Sequence, residues 1–319
     1  MVTAMMFPGQ GSQAPGMGKD LADKFAIARE VFTEADDALG FAISRLCFEG
    51  PADELQLTEN TQPAILTTSV AAFRAAREAG LPAPDFVAGH SLGEYSALVA
   101  AGVLSLYDAV KTVRARGEYM QQAVPLGSGA MAAVIGGELR AIEAACVQAR
   151  GEQVCSVANS NSPSQVVIAG NTDAVDRAIE LLKGVAKRVI KLNVSAPFHC
   201  SLMKPAQEKL AAHLERLTFN APQMPVVTNV DAKITTAPDE LRDALLRQVS
   251  APVRWSESMQ LLLGENGGAN APTFIEIGPG KVLSGLMRQT NRDVRCLNVE
   301  DAASLEATRA ALAVRDELV

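Results

Sequence analysis

Gly89-His90-Ser91-Leu92-Gly93 spells G-x-S-x-G, a serine flanked by small residues. Such a serine does acyl chemistry when it sits on a sharp strand-to-helix turn, because only small neighbours let the adjoining backbone pass close by. The context here suits that role. Asp85 to Ala88 (DFVA) reads as a short buried strand and leads directly into a helix ending at Gly102. Ser91 would then stand at a helix N-terminus, where free N–H groups and the helix dipole favour developing negative charge. The Leu92 N–H, one residue on, would donate to an oxyanion. The plainer alternative is a glycine-rich helix start with Ser91 as its N-cap.

A serine hydroxyl needs a base. Of the three histidines, His90 adjoins Ser91 and should point away from it, and His213 falls on a polar helix face that reads as solvated. His199, in SAPFHCS, lies in irregular chain where one pattern of elements ends and another resumes. The acids between Ser91 and His199 (Glu94, Asp108, Glu118, Glu143, Asp176, Glu180) fall mostly in expected helices. A triad carboxylate is therefore missing, which counts against an ordinary esterase.

Gly9-Gln10-Gly11-Ser12-Gln13-Ala14 fits the dinucleotide fingerprint G-x-G-x-x-[GA] but lacks its context. No acid ends a second strand about 20 residues on, and Pro15-Gly16 interrupt the helix the fingerprint needs. Gln10 between two glycines instead suggests an amide held close to a ligand. Arg116, in VRARGEYMQ, lies near the buried edge of a helix whose apolar face is Val110, Val113, Tyr119 and Met120. Arg114 projects about 200° away from it. A buried-edge arginine wants a carboxylate, either a ligand's or that of a structural salt bridge.

The elements that must position these residues are those of an α/β protein. The chain has 319 residues, 48% hydrophobic but only 4% aromatic, which suits helix-on-sheet packing and excludes intrinsic disorder. A net charge of −7 argues against broad binding to nucleic acid or an anionic membrane. Five dispersed cysteines without CxxC read as reduced thiols, three histidines lack metal-ligand spacing, and no apolar run approaches a membrane span. The N-terminus reads as a first strand, not a signal peptide. A cytoplasmic protein is expected, with no metal.

Strands are expected at 2–7, 85–88, 226–229, 273–277 and 294–298, with helices at 20–39, 63–80, 105–123, 202–217 and 239–249. Between them lies a contiguous set: strand 130–135, helix 138–149, strands 153–158 and 165–169 separated by NSNSPS, helix 172–183 and strand 185–192. That order, β-α-β-β-α-β, is the ferredoxin-like unit. The turn cluster Pro125–Gly129 opens it, so residues 127–195 read as a small subdomain inserted into a large α/β domain of residues 1–126 and 196–319.

Taken together, eight segments in order resemble the malonyl-coenzyme A:acyl carrier protein transacylase family: FPGQGSQ (7–13), TQPAI (61–65), GHSLGEYSAL (89–98), RGEYMQ (116–121), VANSNSP (157–163), APFHC (196–200), RQVSAPVRW (247–255) and EIGPGKVLSGL (276–286). The resemblance implies an α/β-hydrolase-like large domain with the ferredoxin-like insert. It makes Ser91 the nucleophile, His199 its base, and Gln10 with the Leu92 N–H the oxyanion hole. Arg116 would clamp the malonyl carboxylate, and Gln248 would orient His199 largely through its backbone carbonyl. Asn159 would contact the pocket or coenzyme.

The implied partners are malonyl-CoA and the holo acyl carrier protein, with the CoA thioester a substrate and no bound cofactor; a monomer is the expectation. Lys183, Lys187, Arg188, Lys191, Lys281 and Arg288 are candidates for docking an acidic carrier. Phe198 before His199 resembles the malonyl-selecting rather than the methylmalonyl-selecting pattern. Two alternatives stay open: a free-standing acyltransferase of a polyketide pathway, and a serine thioesterase or esterase.

Overall fold

The strand TAMMF at the N-terminus is buried along its whole length, the mark of a strand covered by helices on both faces. A computed structural model describes residues 2–194, 196–265 and 272–316. In it, β1 (Thr3–Phe7), β2 (Phe86–Gly89), β3 (Gly129–Ile135), β4 (Cys155–Ser162), β5 (Gln165–Asn171), β6 (Arg188–Lys191), β7 (Val226–Thr228), β8 (Lys233–Thr235), β9 (Thr273–Ile277) and β10 (Cys296–Val299) form two sheets. The larger is ordered β10-β9-β1-β2-β7-β8, parallel except for its antiparallel edge strand β8. Side chains alternate between two helical layers. Met5 and Phe7 enter one core with Val87 and Ile275, while Ala4 and Met6 face the other with Ala88 and Phe274.

The smaller sheet is antiparallel, ordered β4-β5-β3-β6. One of its faces packs on helices Leu139–Arg150 and Thr172–Leu182. Met131, Ala133 and Val167 on the opposite face join the larger core. The irregular end of β4 reaches across: Ser160 N–H donates to Val253 O at 2.9 Å, and Val253 N–H to Ala158 O at 2.9 Å. No helix among the described residues is long and apolar enough to cross a membrane.

Several element boundaries differ from the sequence reading. The helix expected at 20–39 is two, Lys19–Lys24 and Ala26–Leu39, divided at Phe25, whose backbone is extended. The helix expected to start at Pro63 spans Thr58–Glu78 instead. Pro63 has no N–H for the Glu59 carbonyl, and Arg114 Nη1 donates to that carbonyl at 3.1 Å, so the helix runs through. Asn159–Ser162, read as a connection, belongs to bulged β4. Helices Ile43–Glu49, Ala52–Gln56, Trp255–Glu265 and Ala302–Asp316 and strand β8 were not anticipated. His213 is not on a solvated face: it is half-buried, with Nε2 3.0 Å from Thr112 Oγ1.

Glycine is required at the turn after β2 for space. A Cβ on Gly89 would lie 1.9 Å from the Gly93 carbonyl, and one on Gly93 2.0 Å from Phe7 O. Neither contact is with a flexible side chain, so the backbone itself would have to move. Gly89→Ala should therefore destabilise the protein by at least about 3 kcal/mol, the upper range for overpacking. The midpoint of urea unfolding reads this directly, and an unshifted midpoint would reject the steric account.

Candidate active site

The parallel strands place their carboxyl ends on one edge of the large sheet, where α/β folds build ligand sites. β2 lies between β1 and β7, so the turn carrying Ser91 is flanked by the chain after β1, with Gln10, and the chain after β7, with Asn229. Ser91 has φ 51°, a left-handed backbone that is strained for a non-glycine residue. Asn229 stabilises the turn from both sides. Its Oδ1 accepts from Ser91 N–H at 2.6 Å, and its Nδ2 donates to Gly89 O at 2.7 Å.

His199 also has a left-handed backbone, φ 59°, which turns its ring toward Ser91. Its Nδ1 lies 2.8 Å from the backbone carbonyl of Gln248. A carbonyl only accepts, so the proton sits on Nδ1 and Nε2 carries the lone pair. That Nε2 is 2.7 Å from Ser91 Oγ. The arrangement can take a proton from the serine with no carboxylate behind the imidazole. Burial, and then the neighbouring Arg116 charge, depress His199 to about 3, so the ring stays neutral well below its ordinary range.

This has a measurable consequence. A base titrating at 6.5 would be about ten-fold less available at pH 5.5 than at 7.5, whereas a base held near 3 is unchanged. Acetylation of the enzyme by p-nitrophenyl acetate, a donor without a free carboxylate, should differ less than about twofold between those pH values. A ten-fold fall would contradict the assignment.

Arg116 is 2% exposed, yet among the described residues no Asp or Glu forms an ion pair with it. Its partners are neutral: Nη1 donates to Gln62 Oε1 at 2.7 Å, and Nη2 donates to Gln248 Oε1 at 2.9 Å and to Ser91 Oγ at 3.2 Å. Nε has no partner. Of the two readings of Arg116, the described residues supply no structural salt bridge. A guanidinium buried with no carboxylate in direct contact among the described residues, beside a reactive hydroxyl, can receive a ligand carboxylate.

A cavity of about 810 Å³ collects these groups. Gln10, His90, Ser91, Leu92, Arg116, Asn159, Phe198 and His199 all line it. No protein group among the described residues accepts the Leu92 N–H, leaving it available to the cavity. Gln10 Nε2 reaches Thr58 Oγ1 at 3.3 Å. His90 turns from Ser91 as expected: its Nε2 is 2.8 Å from Asn161 Oδ1 and its ring packs on Trp255. Gln248 is fully buried behind the hydroxyl, with Nε2 donating to Ser91 O at 3.0 Å. Asn229 and Gln62 were missed by sequence reasoning. Asn229 directly follows β7, beside β2, and Gln62 lies in TQPAI; the sequence marked both neighbourhoods but not the distant partners that give the two residues their roles.

A serine–imidazole pair, a cation with no ion pair among the described residues and the free Leu92 N–H at the strand ends of a parallel sheet define an acyl-transferring enzyme. The chain belongs to the acyl transferase domain family, whose model matches residues 5–312. It is 51% identical over 287 residues to the malonyl CoA-acyl carrier protein transacylase of Escherichia coli (strain K12), covering 90% of this chain and 92% of that one. The protein of the same name from Bacillus subtilis (strain 168) is 48% identical over 305 residues, 95% of each.

Among solved structures, an acyl carrier protein S-malonyltransferase from Vibrio cholerae O1 matches with TM-score 0.93 and 49% identity, covering 97% of this chain and 100% of that one. A malonyl-transacylase in complex with its type II polyketide synthase acyl-carrier protein matches with TM-score 0.92 and 47% identity, covering 96% and 98%.

Proposed function

We propose that this enzyme transfers a malonyl group from malonyl-CoA to the phosphopantetheine thiol of acyl carrier protein, supplying fatty acid synthesis. The observation that carries the reading is Arg116, buried with no directly paired carboxylate among the described residues and 3.2 Å from Ser91 Oγ. Ser91 Oγ attacks the malonyl thioester while His199 Nε2 takes its proton, and Gln10 with the Leu92 N–H receives the oxyanion. The C–S bond breaks, and the thiolate takes the proton from His199 and leaves as coenzyme A. The carrier thiol then gives its proton to His199 and attacks the malonyl-serine; the ester C–O bond breaks and Ser91 Oγ takes the proton back from His199. Arg116 holds the malonyl carboxylate throughout, Gln248 orients His199 through its carbonyl, and Asn159 is a pocket or coenzyme contact. The reading needs no metal and no bound cofactor, because coenzyme A arrives as part of the substrate.

We assign residues 1–126 with 196–319 to an α/β-hydrolase-like domain and residues 127–195 to a ferredoxin-like subdomain. The strand order β4-β5-β3-β6 with two helices on one face supports the second. Ser195 at that boundary, and residues 1, 266–271 and 317–319, lie outside the described residues. The protein is assigned to the cytoplasm as a monomer. Lys187, Arg188 and Arg288 make no ion pair among the described residues, whereas Lys183, Lys191 and Lys281 do, so the first three are the better candidates to meet an acidic carrier.

The second half-reaction tests the reading. Malonyl-loaded enzyme, freed of malonyl-CoA and mixed with holo acyl carrier protein, should pass its malonyl mass to the carrier. Release of free malonate instead would point to a thioesterase. The likeness to the polyketide malonyl-transacylase favours one second reading, service to a polyketide carrier. Comparing fatty acid and polyketide carriers as acceptors separates the two.

A further inference from the structure

Glu94 lies just after the nucleophile turn, on helix Gly93–Ala100, and is completely buried. Two donors converge on its Oε2: the backbone N–H of Asn229 at 3.0 Å and Nε2 of Gln248 at 2.8 Å. The other end of the same Gln248 carboxamide accepts from Arg116 Nη2 at 2.9 Å. An amide has one donor end and one acceptor end, so a carboxylate on one side and a guanidinium on the other fix its orientation. The result is a buried row of anion, amide and cation. The charged groups facing Glu94 are Arg116 and Asp231, with Tyr95 beside it on its own helix.

We infer that Glu94 is a positioning residue that acts through Gln248 as the counter-charge of Arg116 and moderates its grip on the malonyl carboxylate. The inference rests on the malonyl-transfer reading above. Contact through an amide leaves the substrate side of Arg116 open, which a direct ion pair would close. Moderation matters because the enzyme must surrender the malonyl group as well as accept it. An attraction equal in ground and transition states deepens the malonyl-serine well without speeding transfer. In a low-dielectric site an uncompensated guanidinium would hold the carboxylate strongly.

Glu94→Gln keeps the shape and an acceptor for both donors while removing the charge. Steady-state kinetics at pH 8 with holo carrier, above the value of about 7 to which burial pushes Glu94, provide the test. Malonyl-CoA KM should fall about fivefold, with kcat falling alongside as discharge slows, while acetyl-CoA parameters move less than about twofold. Structural damage does not lower KM for one donor alone. An unchanged or raised malonyl KM overturns the inference, as does an equal change with both donors. If Glu94→Gln does not fold, Glu94→Ala removes the same charge and admits water to the two donors; failure of both to fold assigns Glu94 to folding and overturns the inference. If wild-type enzyme forms no malonyl adduct, the function reading itself falls; if it does while the variant's KM is unmoved, only the role of Glu94 falls.

Discussion

Ser91→Ala is expected to lower malonyl transfer by about 10⁵-fold or more, the scale on which serine acyl enzymes lose activity with their nucleophile. Of the residues lining the cavity only Thr58 and Ser91 carry a hydroxyl, and none carries a thiol. Thr58 Oγ1 accepts from Gln10 and has no imidazole beside it, so it offers no substitute. The variant should still fold, because Asn229 and Gln248 hold the turn through the Ser91 backbone rather than its side chain. Stopped-flow thiol release from malonyl-CoA, with thermal unfolding as a control, reads the effect. Residual transfer at a hundredth of the wild-type rate would mean that the acyl group does not pass through Ser91.

The second large effect belongs to Arg116. Arg116→Ala should lower kcat/KM for malonyl-CoA by about 10²–10³-fold, the range for removing one side of a buried charge pair. Acetyl-CoA offers no carboxylate, so its kcat/KM should fall by less than about tenfold, chiefly through lost contacts to Ser91 Oγ and Gln248 Oε1. The ratio of the two constants, measured by direct competition, isolates the clamp. A parallel decline with both donors would make Arg116 a support for the serine and nothing more. Arg116→Lys should recover only part of the ratio, since an ammonium cannot reproduce the planar fork.

What could be read in the sequence was local. The turn at Ser91 is legible because a strand, two glycines and a helix are contiguous there, and each glycine answers a contact within the same small region or with the adjacent strand. The alternation of the small unit is legible for the same reason, since its six elements follow one another along the chain. Asn229 and Gln62 were not legible, because their roles depend on partners 138 and 54 residues away. Glu94 was counted among the helical acids, and only the meeting of three distant segments gives it a place. Pro63 misled for a physical reason: a tertiary donor, Arg114, satisfies the carbonyl that proline cannot. Helix Trp255–Glu265 begins with a fully buried Trp255 and packs against β4, so tertiary burial rather than a clear amphipathic stripe defines it.

The central claim is that one serine carries the malonyl group between two thiols. Its most direct test is the intact mass of enzyme exposed to malonyl-CoA alone, followed by peptide mapping of any adduct. The account predicts a single malonyl adduct, confined to the peptide containing Ser91 and absent from Ser91→Ala. A malonyl adduct on any other residue, or rapid turnover to malonate with no adduct at all, would contradict it.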